Sequence, residues 1–293
     1  MNSVLTQSVN DIEWEIIVID NTPLENGTTY AYNLVKQIKN DKISYIHNEV
    51  NIGSGYNWNR GVIHAKGKWI VFLHDDDIMN ENALLSLKKI VDSKRRFIKN
   101  MGYLANSYWV YNGNKSYCIK LTQIGTLLHG YTRTNTPSCG TCILREAYIE
   151  TGGVNYDFGP TADAILGYIM MKKYGVYLYS MPLGEHRNVD NITNNSHVLE
   201  QLIDADELFA KYRYEKTILA KIWGLFFSTT ISKKNLKEKQ QINNKLINKA
   251  NFGNCYYSYY GVPDNKVMFM AYKLLLTLYD SINILVGMIR ARI

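Results

Sequence analysis

Trp69-Ile-Val-Phe-Leu-His-Asp-Asp-Asp77 is the stretch on which the fold turns. Its first five residues are all apolar, with no alternation, which marks a short strand buried on both faces. Three carboxylates follow at once. Like charges so close raise one another's pKa unless a cation or hydrogen-bond donors offset them. The C-terminal end of a buried parallel strand is also where open α/β sheets gather their ligands. A hard divalent cation, Mg²⁺ or Mn²⁺, shared between one or two carboxylates and phosphate oxygens would resolve the repulsion. The same residues could instead form a solvated acidic loop with the carboxylates splayed outwards.

The flanking sequence favours the strand. Upstream, Trp14-Glu-Ile-Ile-Val-Ile-Asp20 is a second β-branched run ending in an acid and the turn-like Asn21-Thr-Pro23. Ile43-Ser-Tyr-Ile46 is a third. Helical stretches are expected at 28–40, 56–66 and 83–93, the second entered through the glycine loop Asn51-Ile-Gly-Ser-Gly55 and closed by Gly67. Strands alternating with helices predict an α/β fold, a Rossmann-like, mostly parallel sheet with helices on both faces. Residues 103–144 read as irregular strands, 163–173 as a helix after Gly152-Gly153, and 176–180 as a strand. Helices are expected over 199–214 and 216–228. The division expected is a domain over 1–198 and a helical, basic appendage over 199–293.

Charge is concentrated in that appendage. From Glu200 onward there are 14 Lys/Arg against 8 Asp/Glu, which is +6 of the chain's net +7. In residues 266–289 apolar side chains dominate, but Lys273, Thr277, Asp280, Asn283, Gly287 and Arg290 draw one polar stripe at helical spacing. A spanning helix needs about 20 predominantly apolar residues, so this one is read as interfacial, lying on a membrane surface or against its own domain. The four cysteines are too few for a disulfide scaffold, and Cys139-Gly-Thr-Cys142 lacks the second pair that would complete a zinc site. Residues 1–8 carry neither a basic start nor a long apolar stretch. The expected location is the cytoplasm, peripheral at the inner face of the cell membrane.

Taken together, Asn51-Ile-Gly-Ser-Gly-Tyr-Asn-Trp-Asn-Arg-Gly61, Ala65-Lys-Gly67 and Trp69–Asp77 resemble the inverting glycosyltransferases of family 2, which have the GT-A fold. Ser3–Gln7, Glu15–Asp20, Gly152-Gly153 and Pro160-Thr-Ala-Asp163 extend the resemblance over about residues 3–190. It implies a nucleotide-sugar donor, most simply UDP-linked, and a glycan or lipid-linked acceptor. Asp20 would then accept hydrogen bonds from the nucleotide base, and Asn59 would sit beside the nucleotide. Asp75 would contact the ribose or assist the metal, Asp76 would be the main metal ligand, and Asp77 would bind metal or sugar. Asp163 would be the general base, unless it only caps its helix. Arg187, with its planar fork of donors, would meet the diphosphate. His74 stands where the family's motif usually begins with an acid.

The resemblance also implies a strand ahead of Met1 that this sequence lacks, central between the strands ending at Asp20 and at Leu73. Other classes are disfavoured. Gly53-Ser-Gly55 has no third glycine at dinucleotide-binding spacing, and basic residues interleaved with aromatics on one face, as nucleic-acid binding requires, are not evident. A non-catalytic, glycosyltransferase-like binding protein is the competing reading.

Overall fold

The computed structural model describes residues 1–8, 11–93, 103–106, 117–119, 141–155, 162–179 and 183–185, and towards the C-terminus residues 270, 274, 278, 281–282 and 285–289. The boundary expected at 198/199 and residues Cys139, His186 and Arg187 lie outside them.

Chain order runs α1 (Asn2–Leu5), β1 (Ile16–Asp20), α2 (Tyr30–Ile38), β2 (Ile43–His47), α3 (Ser54–His64), β3 (Trp69–Val71), β4 (Ile78–Met79) and α4 (Ala83–Asp92). It continues through β5 (Tyr103–Asn106), β6 (Tyr117–Ile119), β7 (Cys142–Leu144), α5 (Arg145–Glu150), α6 (Ala162–Lys173), β8 (Val176–Tyr179) and β9 (Gly184–Glu185). Local chemistry sets several of these boundaries. Thr29 caps α2 by accepting from the Tyr32 amide at 3.0 Å, and Lys39 ends it in the left-handed region. Gly53, at φ 79°, turns the chain into α3.

The fold is α/β, but the expectation of a mostly parallel sheet is corrected. Among the described residues only β1–β2 and β5–β8 pair in parallel. The other pairings, β3–β7, β5–β7, β6–β8 and β4–β9, are antiparallel. The physical reason is that a continuous apolar run reports burial on both faces, which helices above and below impose whatever the strand direction.

Burial on both faces is what the five-stranded sheet, ordered β3-β7-β5-β8-β6, displays. Alternate residues of its strands point to opposite sides. Phe72, Ile143 and Val176 join Val62 of α3, Tyr148 of α5 and Ile165, Leu166 and Met170 of α6 in one cluster. Cys142, Tyr177, Val71 and Leu73 join Met79 and the α4 residues Ala83, Leu87 and Ile90 in the other. Full burial pushes the Cys142 thiol well above the ordinary thiol range, away from the thiolate a zinc ligand must be.

β1 and β2 form a separate sheet. In the parallel register Ile16↔Ile43, with Ile16 N–H donating to Lys42 and Asn48 N–H to Asp20, residues 16, 18 and 20 face β2. Ile17 and Ile19 therefore face the other way. On β3, Lys68 and Phe72 bond to the β7 side, leaving Trp69 and Val71 on the outer edge. Among the described residues no strand pairs with either edge. The two strands are nevertheless tied at their starts. The Glu15 carboxylate accepts from the Lys66 and Gly67 amides at 2.6 and 3.0 Å.

The helical residues near the C-terminus pack through Met288 on the cluster around Phe72 and Ile165. Met270, Leu274, Leu278, Ile282, Leu285 and Ile289 are exposed at helical spacing. No helix among the described residues is long and apolar enough to cross a membrane.

Candidate functional site

The acidic motif forms a tight turn between β3 and β4, closed by the Asp77 amide donating to the His74 carbonyl at 3.2 Å. The turn grades its carboxylates by depth. Asp75 is exposed, Asp76 half-buried, and the Asp77 side chain wholly buried. Behind it, the His74 ring stacks on Trp58 at 5.4 Å between centroids, Trp58 leans on Phe72 at 5.2 Å, and Phe72 on Tyr148 at 5.8 Å. This aromatic row carries the turn on the core.

After the turn, the first helix bolts the chain down. Ser3 Oγ accepts from the Met79 amide at 3.1 Å. The buried Gln7 amide donates to the Asn80 carbonyl at 2.7 Å and accepts from the Leu84 amide at 3.0 Å. Gln7 thereby serves an N-terminal amide of α4 that Asn82, its N-cap, does not.

Side-chain ligand atoms of His74, Asp76 and Asp77 lie within 4.8 Å of one another. His74 Nδ1 stands 3.8 Å from Asp77 Oδ2, beyond hydrogen-bond reach but within the span of two ligands on one ion. The residues present therefore fit a divalent metal. Asp76 and Asp77, expected as ligands, are brought together, while the exposed Asp75 stands apart from the group. His74 was expected only as a departure from an acidic motif, yet the signal was in the sequence. A His two and three residues before carboxylates, on one turn, presents all three to one point.

Asp20 ends β1 as the centre of a small network. Its Oδ1 accepts from the Thr22 amide at 2.8 Å, and its Oδ2 from Thr29 Oγ1 at 2.6 Å and Tyr45 Oη at 2.8 Å. Burial pushes this carboxyl up, but the hydrogen bonds from Thr29, Thr22 and Tyr45 outweigh it and bring it down to about 2. Three of roughly four acceptor positions are thus committed within the protein.

Asn59, expected beside the nucleotide, has its side-chain amide engaged within the protein. Its Nδ2 donates to the Val154 carbonyl at 2.9 Å, and its Oδ1 accepts from the Val154 amide at 2.9 Å and from Tyr148 Oη at 2.7 Å. A side-chain amide so engaged is a clasp, and what it holds is the turn through Gly152 and Gly153. Those glycines have φ of 83° and 68°.

Sequence reasoning missed a second polar network, at the mouth of the glycine loop. Asn48 is 2% exposed. Its Nδ2 donates to Asn21 Oδ1 at 2.7 Å and Asn57 Oδ1 at 2.8 Å, and its Oδ1 accepts from Arg60. Asn57 reaches back to the Ile19 carbonyl and Asn21 to the Gly53 carbonyl. The clustering of Asn around the Gly-Ser-Gly loop was the available signal.

Asp163 lies in the first turn of α6, half-buried. Its neighbour Ala162 belongs to the same core cluster as Phe72, two residues before His74. The strand preceding Arg187, β9, pairs with β4 so that Glu185 stands opposite Ile78, next to Asp77.

Comparison with known proteins agrees with this architecture. Residues 1–151 match the family profile described as glycosyl transferase family 2. An uncharacterized glycosyltransferase of Mycoplasma genitalium is 29% identical over 96 residues, 32% of each chain. A putative colanic acid biosynthesis glycosyl transferase of Escherichia coli, WcaA, is 28% identical over 108 residues, 37% of this chain and 36% of that one. The matched stretch thus spans about a third of either relative. Among solved structures, S. aureus TarS superposes with a TM-score of 0.52 at 16% identity, over 71% of this chain and 36% of that one. A TarS 1–349 structure in complex with UDP gives 0.50 at 14% identity, over 72% and 60%. These likenesses establish the GT-A fold.

Proposed function

The chain belongs to glycosyl transferase family 2, and from that premise we propose that it transfers a sugar, with inversion, from a nucleoside-diphosphate sugar to a glycan or lipid-linked acceptor in cell-surface polysaccharide synthesis. The observation that carries this reading is the turn after β3, where Asp76 and Asp77 converge with His74 within 4.8 Å. Asp76 and Asp77 would hold Mg²⁺ or Mn²⁺. The chemistry such a cation supplies is compensation of charge on the departing diphosphate.

The remaining roles belong to the protein. Asp163 accepts the proton of the acceptor hydroxyl as its oxygen bonds to the anomeric carbon. The bond from that carbon to the diphosphate oxygen breaks on the opposite side, and the nucleoside diphosphate leaves with the electron pair. Asp20, through its one remaining acceptor position, receives the base. Asp75 meets the ribose, and Arg187 the diphosphate. A UDP-linked donor is supported by the UDP complex of TarS, and a polysaccharide role by the name of WcaA.

The exposed apolar stripe from Met270 to Ile289, next to a C-terminal third carrying +6 of the net charge, supports peripheral binding to an anionic membrane surface. A second reading, a non-catalytic binding protein, draws on the break between β1 and β3. Thermal melting separates the two. UDP with Mn²⁺ raises the melting temperature of an active donor site by several degrees, and an unmoved melting temperature contradicts the catalytic reading.

A further inference from the structure

Resting on the metal reading above, we propose that His74 is itself a ligand of the cation, through a ring nitrogen, and that it biases the site towards Mn²⁺ over Mg²⁺. The first ground is distance. His74 Nδ1 lies 3.8 Å from Asp77 Oδ2, too far for a hydrogen bond. Two ligand atoms on one ion at bonds of about 2.1 Å can be separated by up to about 4.2 Å. The pair is spaced to share an ion rather than a proton.

The second ground is the state of the imidazole. Nδ1, the nitrogen that faces Asp77, has only that distant oxygen, so no hydrogen bond competes with an ion for it. The third ground is orientation. The ring is stacked on Trp58 at an interplanar angle of 29°, and Trp58 is held against Phe72 of the core. The imidazole is thus fixed over the same turn that presents Asp76 and Asp77, and little side-chain freedom is lost when it binds.

Ligand chemistry then sets the preference. Mg²⁺ demands oxygen ligands in near-ideal octahedral geometry and keeps several waters. Mn²⁺ also favours oxygen and stands lowest in its series for nitrogen ligands, but as a transition ion it accepts one imidazole more readily than Mg²⁺ does. Exchanging an oxygen donor for a nitrogen therefore costs Mg²⁺ more than Mn²⁺.

The test is pulsed electron paramagnetic resonance of Mn²⁺ bound to the full chain without nucleotide, alongside Mn²⁺ titration with Mg²⁺ competition. The variants are His74→Phe, which keeps a ring against Trp58 but offers no nitrogen, His74→Asp and Asp76→Asn. In the wild type, ¹⁴N modulation from a coordinated imidazole is expected. It disappears in His74→Phe, whose Mn²⁺ affinity falls at least about tenfold. His74→Asp recovers binding but shifts the Mn²⁺:Mg²⁺ ratio towards Mg²⁺. Bound Mn²⁺ without ¹⁴N modulation, or an unchanged ratio in His74→Asp, overturns the role of His74 and leaves the carboxylate site standing. If the wild type binds no Mn²⁺, or Asp76→Asn binds it undiminished, the site itself is misread and His74 falls with it.

Discussion

At Gly153 a single hydrogen atom decides whether the loop behind the acidic turn can close. A Cβ there would sit 2.4 Å from Asn59 Oδ1 and 2.8 Å from the Tyr148 ring, at a φ of 68°. Gly153→Ala therefore combines left-handed strain with a collision inside a hydrogen-bonded clasp, and should destabilise the fold by about 3 kcal/mol. Gly27→Ala, at a φ of 78° with nothing within 4 Å, carries only the strain, about 1–2 kcal/mol. Urea unfolding of both checks this; equal losses would show that the clasp contributes nothing. Asp20 makes a pH prediction. Its folded value of about 2 lies below an unfolded value of about 3.9. The ionised form is thus the one the fold favours, and the stabilisation is fully present above about pH 4. It is lost as the pH falls through about 2, and amounts to about 2 kcal/mol. Asp20→Asn should lack this term, so the stability gap between it and the wild type should narrow between pH 4 and pH 2. A constant gap across that range would contradict the network. In the sequence, the convergence of Asp76 and Asp77 on one turn was legible because three acids after a buried strand need an explanation. The clasp made by Asn59 was not, because its partner Val154 is 95 residues away and an Asn on a helix carries no sign of the loop it will meet.

Elements were legible by period and punctuation. Gly53 and Gly67 bracket α3, and the apolar runs at 16–20, 43–47 and 69–71 are strands. Their directions were not, because Ile143 and Val176 are buried on an antiparallel and a mixed-neighbour strand alike. Residues 103–106 and 117–119 show the same limit, since short strands in a Tyr- and Asn-rich stretch carry little periodicity. At the C-terminus the polar stripe of Lys273, Asp280 and Arg290 announced an amphipathic helix, and the exposure of Leu278 and Ile282 shows where its apolar face lies. Vesicles of phosphatidylglycerol should co-sediment the protein and vesicles of phosphatidylcholine should not. Leu278→Asp with Ile282→Asp should abolish the effect while moving the melting temperature little, because both side chains are exposed. Binding that survives the double substitution would contradict the membrane face, and a loss of dimer instead of a loss of lipid binding would assign the stripe to a second copy.

For the whole molecule, the arrangement is a five-stranded mixed sheet buried on both sides, with the β1–β2 pair set beside it and joined through α3 and Glu15. α3 links the two separate sheets. Its start is tied to the end of β1 through Asn57 and Ile19, and its later residue Val62 enters the core of the larger sheet. Under the proposed function, the donor would be met by Asp20 at the end of β1 and by Asp76 and Asp77 in the turn after β3. Incubation of the wild type, Asp76→Ala and Asp163→Ala with a panel of nucleotide sugars and Mn²⁺ tests the central claim most directly. Release of nucleoside diphosphate from at least one donor by the wild type, and its loss by a hundredfold or more in both variants, on the order expected for a metal ligand and a general base, is the predicted result. No release by the wild type, or release that survives both substitutions, would contradict the assignment of this turn as a glycosyl-transfer site.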